Sequence, residues 1–219
     1  MAVEQKNVTV METVESNPLH LKWTPLEEEI RAYAKENHVP IIVDEGLAFL
    51  EQIIRIARPK MILEIGAAIG YSAIRMQKVC GSRVVTIERN PDMISHAIEN
   101  VEKAQASSAI TILQKDALDA YDLVKDYTFD LIFIDAAKAQ YTKFFEMYTP
   151  LLASHGIVVT DNMSFHGLLH QNDLTNQSRS VRGLVRKLSN YHQFLKNNEE
   201  FETSIFEIGD GIALSVKKE

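Results

Sequence analysis

The stretch MILEIGAAIGYSAIRM, Met61 to Met76, holds three signals in succession. Met61 to Ile65 is a short apolar run of the kind that forms a buried strand. Gly66 to Gly70 is a turn of small residues bounded by two glycines, and Tyr71 opens a helical pattern that continues to Cys80. Strand, glycine-bearing turn and helix in that order make the first part of a βαβ unit.

The pattern recurs along the chain. RVVTIE (Arg83 to Glu88), AITILQ (Ala109 to Gln114), DLIFID (Asp130 to Asp135) and GIVVTD (Gly156 to Asp161) read as further buried strands. Pro91 to Ala104, Ala117 to Lys125 and Gln140 to Leu152 read as the helices between them. Runs that are apolar throughout, rather than at alternate positions, suit a parallel sheet covered on both faces. After a helix at about Ser178 to Asn197, TSIFEI and IALSV flank Gly209-Asp210-Gly211, a hairpin signal. The expectation is an α/β fold with a mostly parallel seven-stranded sheet that closes on an antiparallel hairpin.

Upstream, a helix is expected from Pro25, with Glu27 to Glu29 in its first turn, where negative charge suits the dipole. Val43 to Ala57 has apolar residues at helical spacing and stops before Pro59. Residues 1–38 form an N-terminal helical extension in this reading, with the first twenty or so frayed. No repeat, low-complexity tract or linker divides the chain, so residues 1–219 are expected to form one domain.

With 219 residues and 46% hydrophobic content, the chain is long enough to bury a large core. The single Cys80 excludes an intrachain disulfide, and no apolar run reaches the roughly 20 residues that cross a bilayer. The amino terminus lacks an apolar signal core, which makes cytoplasmic residence the expectation. A net charge of −7 argues against a protein that coats nucleic acid through its overall field. The distribution is uneven, however: Ser178 to Asn198 carries Arg179, Arg182, Arg186, Lys187 and Lys196 and no acid.

In an open parallel sheet the ligand sits beyond the carboxyl ends of the strands. Those ends are polar here: Glu64 and the glycine loop, Glu88, Asp116, Asp135, and Asp161-Asn162. The loop is either a tight strand-to-helix turn or a place where a ligand approaches the backbone. Glu88, about twenty residues on at a strand end, is either a solvated terminus or a ribose acceptor. Asp116 is either the N-cap of the next helix or a neighbour of a bound base. Arg179, Arg182 and Arg186 recur at i, i+3 and i+7, a face that is either solvated or in contact with phosphates, while Val181, Leu184, Val185 and Leu188 make an apolar face.

LEIGAAIGYSAIRM (Leu63 to Met76), TIERNP (Thr86 to Pro91), FIDAAKAQY (Phe133 to Tyr141) and VTDN (Val159 to Asn162) resemble the motifs of the metal-dependent class I O-methyltransferases, the family of the catechol and caffeoyl-CoA enzymes. The resemblance covers about Val39 to Val216. Together with HVPI (His38 to Ile41) and GDGIA (Gly209 to Ala213), these motifs look closest to the branch that methylates 5-hydroxyuridine in bacterial tRNA. It implies a Rossmann-like fold and S-adenosylmethionine as cofactor. Ile42, Glu64, Gly66, Gly70, Ser72 and Asp135 would surround the cofactor, Glu88 would take its ribose, and Asp116-Ala117 its adenine. It also implies Mg²⁺ or Mn²⁺ on Asp135, Asp161 and Asn162, with Asp135 and Lys138 at the reacting centre, and a homodimer.

These residue types suit the implied reaction. A neutral hydroxyl is a poor nucleophile, and two carboxylates with an amide carbonyl are all-oxygen ligands for a hard cation that lowers its pKa. A substrate with two adjacent oxygens, such as catechol or 5-hydroxyuridine, could fill two open positions. Lys138 serves either as a cation beside an oxyanion or, if neutral, as a base. Ala136 and Ala137 are small where catechol-type enzymes carry bulkier side chains, leaving room for a larger acceptor. The expected substrate is therefore tRNA 5-hydroxyuridine. A small catechol-like phenol is the alternative, and a non-catalytic nucleotide- or RNA-binding module a more distant one.

Overall fold

The structure is a computed structural model and describes residues 21–163 and 178–218. In chain order it contains α1 (Pro25–Glu36), α2 (Asp44–Ala57), β1 (Met61–Ile65), α3 (Tyr71–Cys80), β2 (Arg83–Glu88), α4 (Pro91–Lys103) and β3 (Ile110–Gln114). There follow α5 (Tyr121–Val124), β4 (Phe129–Ile134), α6 (Tyr141–Tyr148), β5 (Leu152–Thr160), α7 (Arg179–Lys196), β6 (Phe201–Phe206) and β7 (Ile212–Lys217). Of the expected N-terminal extension, residues 1–20 lie outside the described residues, and α1 supplies the rest.

The strands form one seven-stranded sheet in the order β3-β2-β1-β4-β5-β7-β6. β1 to β5 pair in parallel, β7 inserts antiparallel beside β5, and β6 pairs antiparallel with β7 at the edge. Alternate residues of the central strands feed two separate cores. On β4, Leu131 and Phe133 join Leu47, Leu50 and Ile54 of α2 on one face. Ile132 and Ile134 join Tyr141, Phe145, Leu188 and Tyr191 on the other. Burial on both faces is the reason these strands read as unbroken apolar runs.

α1 begins with the reciprocal hydrogen bonds of a capping box. Glu27 N–H donates to Thr24 Oγ1 at 3.3 Å, and Thr24 N–H donates to Glu27 Oε2 at 2.6 Å. The helix is tied to α3 by buried charge: Glu27 pairs with Arg75 at 3.2 Å and Lys78 at 3.0 Å, and Arg75 also pairs with Glu51 of α2 at 2.5 Å.

Two helices are shorter than their periodicity suggests. Ala117 to Lys125 contains only the short α5, because Leu118 and Asp119 N–H groups bond back to the Asp116 side chain and carbonyl and make a turn there. Asp116 therefore does not cap α5, whose N-cap position is Ala120. α6 stops at Tyr148 and tightens into a 3₁₀ turn over Thr149–Leu151, where Pro150 cannot donate to the helical ladder. β5 starts earlier than expected, at Leu152, with a register shift opposite Phe129 and Leu131.

Candidate active site

The chain winds outward from β1 through β2 to β3 and in the other direction from β4 to β5, so the strand order reverses between β1 and β4. A crevice opens at such a switch point, beyond the strands' carboxyl ends. Here the ends of β1, β2 and β4 interlock. Asp135 N–H donates to Ile65 O at 3.0 Å, and Gly66 N–H donates to Ile87 O at 3.0 Å. Gly66 has φ +102°, and a Cβ on it would lie 2.0 Å from the Asp135 carbonyl oxygen. Its freedom serves a close approach between the ends of β1 and β4.

A cavity of about 800 Å³ fills this crevice. Ile42, Gly66, Ser72 and Glu88 line it, as do Asp116, Ala117 and Asp135. Glu64 and Gly70 stand behind that lining. Glu64 is fully buried, accepting from Ser72 Oγ and Thr86 Oγ1, each at 2.5 Å. Gly70, at φ +81°, packs its α-carbon toward Ala97 of α4. Glu88 is held by three backbone N–H groups: Ala68 on Oε2 at 3.0 Å, and Arg89 and Asn90 on Oε1 at 2.8 and 2.9 Å. Oε1 is satisfied by its two donors, and Oε2 keeps accepting capacity for a further hydroxyl.

The ends of β4 and β5 bring Asp135, Asp161 and Asn162 together. Asp161 N–H donates to Ile134 O at 3.0 Å, and Asn162 Nδ2 donates to Asp135 Oδ1 at 3.3 Å. Asn162 adopts φ +61°, a left-handed conformation that asparagine tolerates better than most residues. Lys138 Nζ donates to Asn162 O at 3.2 Å. Tyr141 Oη donates to the Asp161 carbonyl at 3.1 Å, which anchors the strand end to α6.

Burial pushes the Asp135 carboxyl up; the Asn162 amide and Lys138 pull it back, and Asp210 adds to the rise. Burial also pushes Asp161 up, and the neighbouring Asp135 charge adds to it. Asp161 Oδ1 is a buried oxygen with no hydrogen-bond partner among the described residues. A buried acceptor costs free energy unless something donates to it or coordinates it. Among the described residues no group of three or more His, Cys, Asp or Glu side chains could hold a metal ion. A cation here would draw on two carboxylates and the Asn162 amide, an oxygen set that fits a hard divalent ion. Desolvation lowers the Lys138 ammonium, while the charges of Asp135, Asp161 and Asp210 oppose the shift.

Asp210, in the turn between β6 and β7, is a further acid near the cluster. Met163 N–H donates to Gly211 O at 2.9 Å, tying the β6–β7 hairpin to the residue after Asn162 and bringing the Asp210 charge to bear on the cluster. An acid between two glycines, in a hairpin returning to β5, was the available signal.

Arg179, Arg182, Arg186 and Lys187 are all exposed on α7. Val185 and Leu188 are buried as expected, but Leu184 turns to the cavity, and Tyr191 and Leu195 complete the core face. The same helix holds the β5 end: Tyr191 Oη shares a hydrogen bond of 2.9 Å with Thr160 Oγ1, and His192 Nε2 one of 3.2 Å with Met163 O. The helix that carries the basic surface is thus hydrogen-bonded to the strand end that carries Asp161 and Asn162.

The sequence profile of the O-methyltransferase family matches residues 18–218. The catechol O-methyltransferase of Niastella koreensis is 30% identical over 180 residues, which span 78% of this chain and 79% of that protein. A flavonoid 3',5'-methyltransferase of Vitis vinifera is 28% identical over 182 residues, 78% of this chain and 76% of its own. Among solved structures, a Staphylococcus aureus protein provisionally assigned as a caffeoyl-CoA O-methyltransferase shares 40% identity and a TM-score of 0.85, covering 90% of this chain and 93% of that one. The O-methyltransferase of Bacillus cereus, solved with S-adenosylhomocysteine, shares the fold at a TM-score of 0.79 and 24% identity, covering 91% of this chain and 94% of that one.

Proposed function

The chain belongs to the O-methyltransferase family, as an S-adenosylmethionine-dependent enzyme of the caffeoyl-CoA and catechol type, and from that premise we propose that it methylates 5-hydroxyuridine of tRNA with the help of a divalent cation. The orphaned Asp161 Oδ1, buried beside Asp135 and Asn162, is the observation that supports the cation. The exposed arginines of α7, on the helix that puts Leu184 into the cavity, support an anionic macromolecule as acceptor.

S-adenosylmethionine supplies the methyl group from its sulfonium. A cation on Asp135, Asp161 and Asn162 supplies Lewis acidity that favours the ionised acceptor oxygen and suits a substrate with two adjacent oxygens. Glu88 presents a fixed carboxylate to ribose hydroxyls. Lys138 faces three carboxylates whose charges favour its ammonium against desolvation, and as a cation it stabilises negative charge on the acceptor and fixes its approach. Leu184 and the side chains around the crevice exclude water.

Mass spectrometry of tRNA nucleosides from a deletion strain tests the acceptor: 5-methoxyuridine should disappear and 5-hydroxyuridine rise, and an unchanged 5-methoxyuridine level rejects it. Excess EDTA should abolish turnover, and Mg²⁺ or Mn²⁺ should restore it; full activity in chelator rejects the cation.

A small catechol-like phenol is the second reading, favoured by the similarity to the Niastella catechol enzyme. It wins if pure protein turns over dihydroxybenzoates faster than tRNA. Homodimeric assembly and cytoplasmic residence belong to the same proposal; sedimentation and fractionation test them. No helix among the described residues is long and apolar enough to cross a membrane.

A further inference from the structure

The rim of the cavity carries an ion pair in which one partner, Arg89, has no part in the proposed reaction. Arg89 Nη1 donates to Asp116 Oδ2 at 2.8 Å, joining the residue after β2 to the loop after β3. Both residues line the cavity. The Arg89 side chain is 68% exposed, and ion pairs so open to water contribute little to stability. Stability does not account for the pair's position at the rim.

Asp116 is held from a second side as well, because Leu118 N–H donates to its Oδ1 at 2.9 Å. With one donor on each oxygen, the carboxylate is fixed in plane and direction, and each oxygen can still accept another hydrogen bond. The Leu118 bond alone would leave the carboxylate free to swing about it. Together the two bonds hold Asp116 below its usual range, the Leu118 amide acting more strongly than Arg89.

In a nucleotide crevice at strand carboxyl ends, the ribose sits at the acid ending the second strand, and the base lies beyond it. Here that acid is Glu88, and the next strand end is that of β3, where Asp116 stands. A carboxylate only accepts, so it matches the exocyclic amine of adenine and opposes the 6-oxo group of hypoxanthine.

We propose that Arg89 is a positioning residue for base recognition: it locks the Asp116 carboxylate in the orientation that accepts from the adenine amine, and so sets the preference of the cofactor site for adenosine over inosine. The inference rests on the cofactor assignment and is independent of the methyl acceptor.

Calorimetric titration of the full chain with S-adenosylhomocysteine and with its deaminated analogue, S-inosylhomocysteine, tests it. The wild-type protein should prefer the adenosine compound by about tenfold or more, the scale of one hydrogen bond to a charged group. Asp116→Ala should lose most of that preference. Arg89→Ala should lower it by weakening the adenosine compound alone, and Arg89→Lys should restore part of it. Three outcomes overturn the proposal: no preference in the wild type, an unchanged ratio in Arg89→Ala, or an equal loss for both ligands. The acceptor assignment fails or stands separately, on the tRNA nucleosides.

Discussion

Replacing Glu64 with glutamine should stabilise the protein in alkaline solution and do so progressively less as pH falls. Glu64 has no exposed surface. Burial pushes its carboxyl up from 4.5 to about 7; hydrogen bonds from Ser72 and Thr86 act against the rise, and the charges of Asp135 and Glu88 add to it. That difference corresponds to about 3 kcal/mol in favour of the protonated form in the folded state. A raised carboxyl contributes fully below its unfolded value of 4.5, and the contribution is lost as pH rises through about 7. Glutamine is neutral throughout and keeps it. Urea unfolding should show the variant's advantage growing by up to about 3 kcal/mol between about pH 4.5 and pH 8. For a chain of this length, that is about 6–12 °C in melting temperature. Because Ser72 and Thr86 can turn to suit the amide, the test is the growth with pH and not the offset. A difference that stays constant across the range refutes the reasoning. Saturating S-adenosylmethionine, whose sulfonium and ammonium bring positive charge into the cavity beside Glu64, should narrow the gap at alkaline pH.

Gly66→Ala should abolish S-adenosylhomocysteine binding and lower the melting temperature sharply, because its Cβ would meet the Asp135 carbonyl at 2.0 Å. Gly81→Ala has φ +74° but open space around it, so it should cost only the left-handed penalty of about 1–2 kcal/mol; equal losses for the two variants would refute the steric account. Lys138→Arg should keep most of the turnover and Lys138→Ala should lose it, with S-adenosylhomocysteine affinity unchanged in both. The wild-type rate should also fall at alkaline pH, as the lysine deprotonates, while that of Lys138→Arg should not. An arginine variant as inactive as the alanine one would show that Lys138 acts as a base.

The central strands were legible because burial on both faces demands runs like DLIFI, and no amphipathic helix produces that pattern in so few residues. Ala117 to Lys125 misled because its apolar spacing is helical, whereas the Asp116 side chain and carbonyl capture the local N–H groups first. Asp135, Asp161 and Asn162 could be read as strand ends, and their convergence follows from β4 and β5 being neighbours. Asp210 could not be placed, since its relation to them depends on β7 returning beside β5.

Local chemistry written into the chain thus determined the strands, the glycine turn, the capped first helix and the acids at the strand ends, because each depends on residues within a few positions of one another. Only the tertiary structure decided why Gly66 must be glycine, which oxygen of Asp161 lacks a partner, that Leu184 faces the cavity, and that Arg89 holds Asp116. Those contacts join segments far apart in sequence, and their geometry is set by how the strands are ordered in the sheet, which no local pattern encodes.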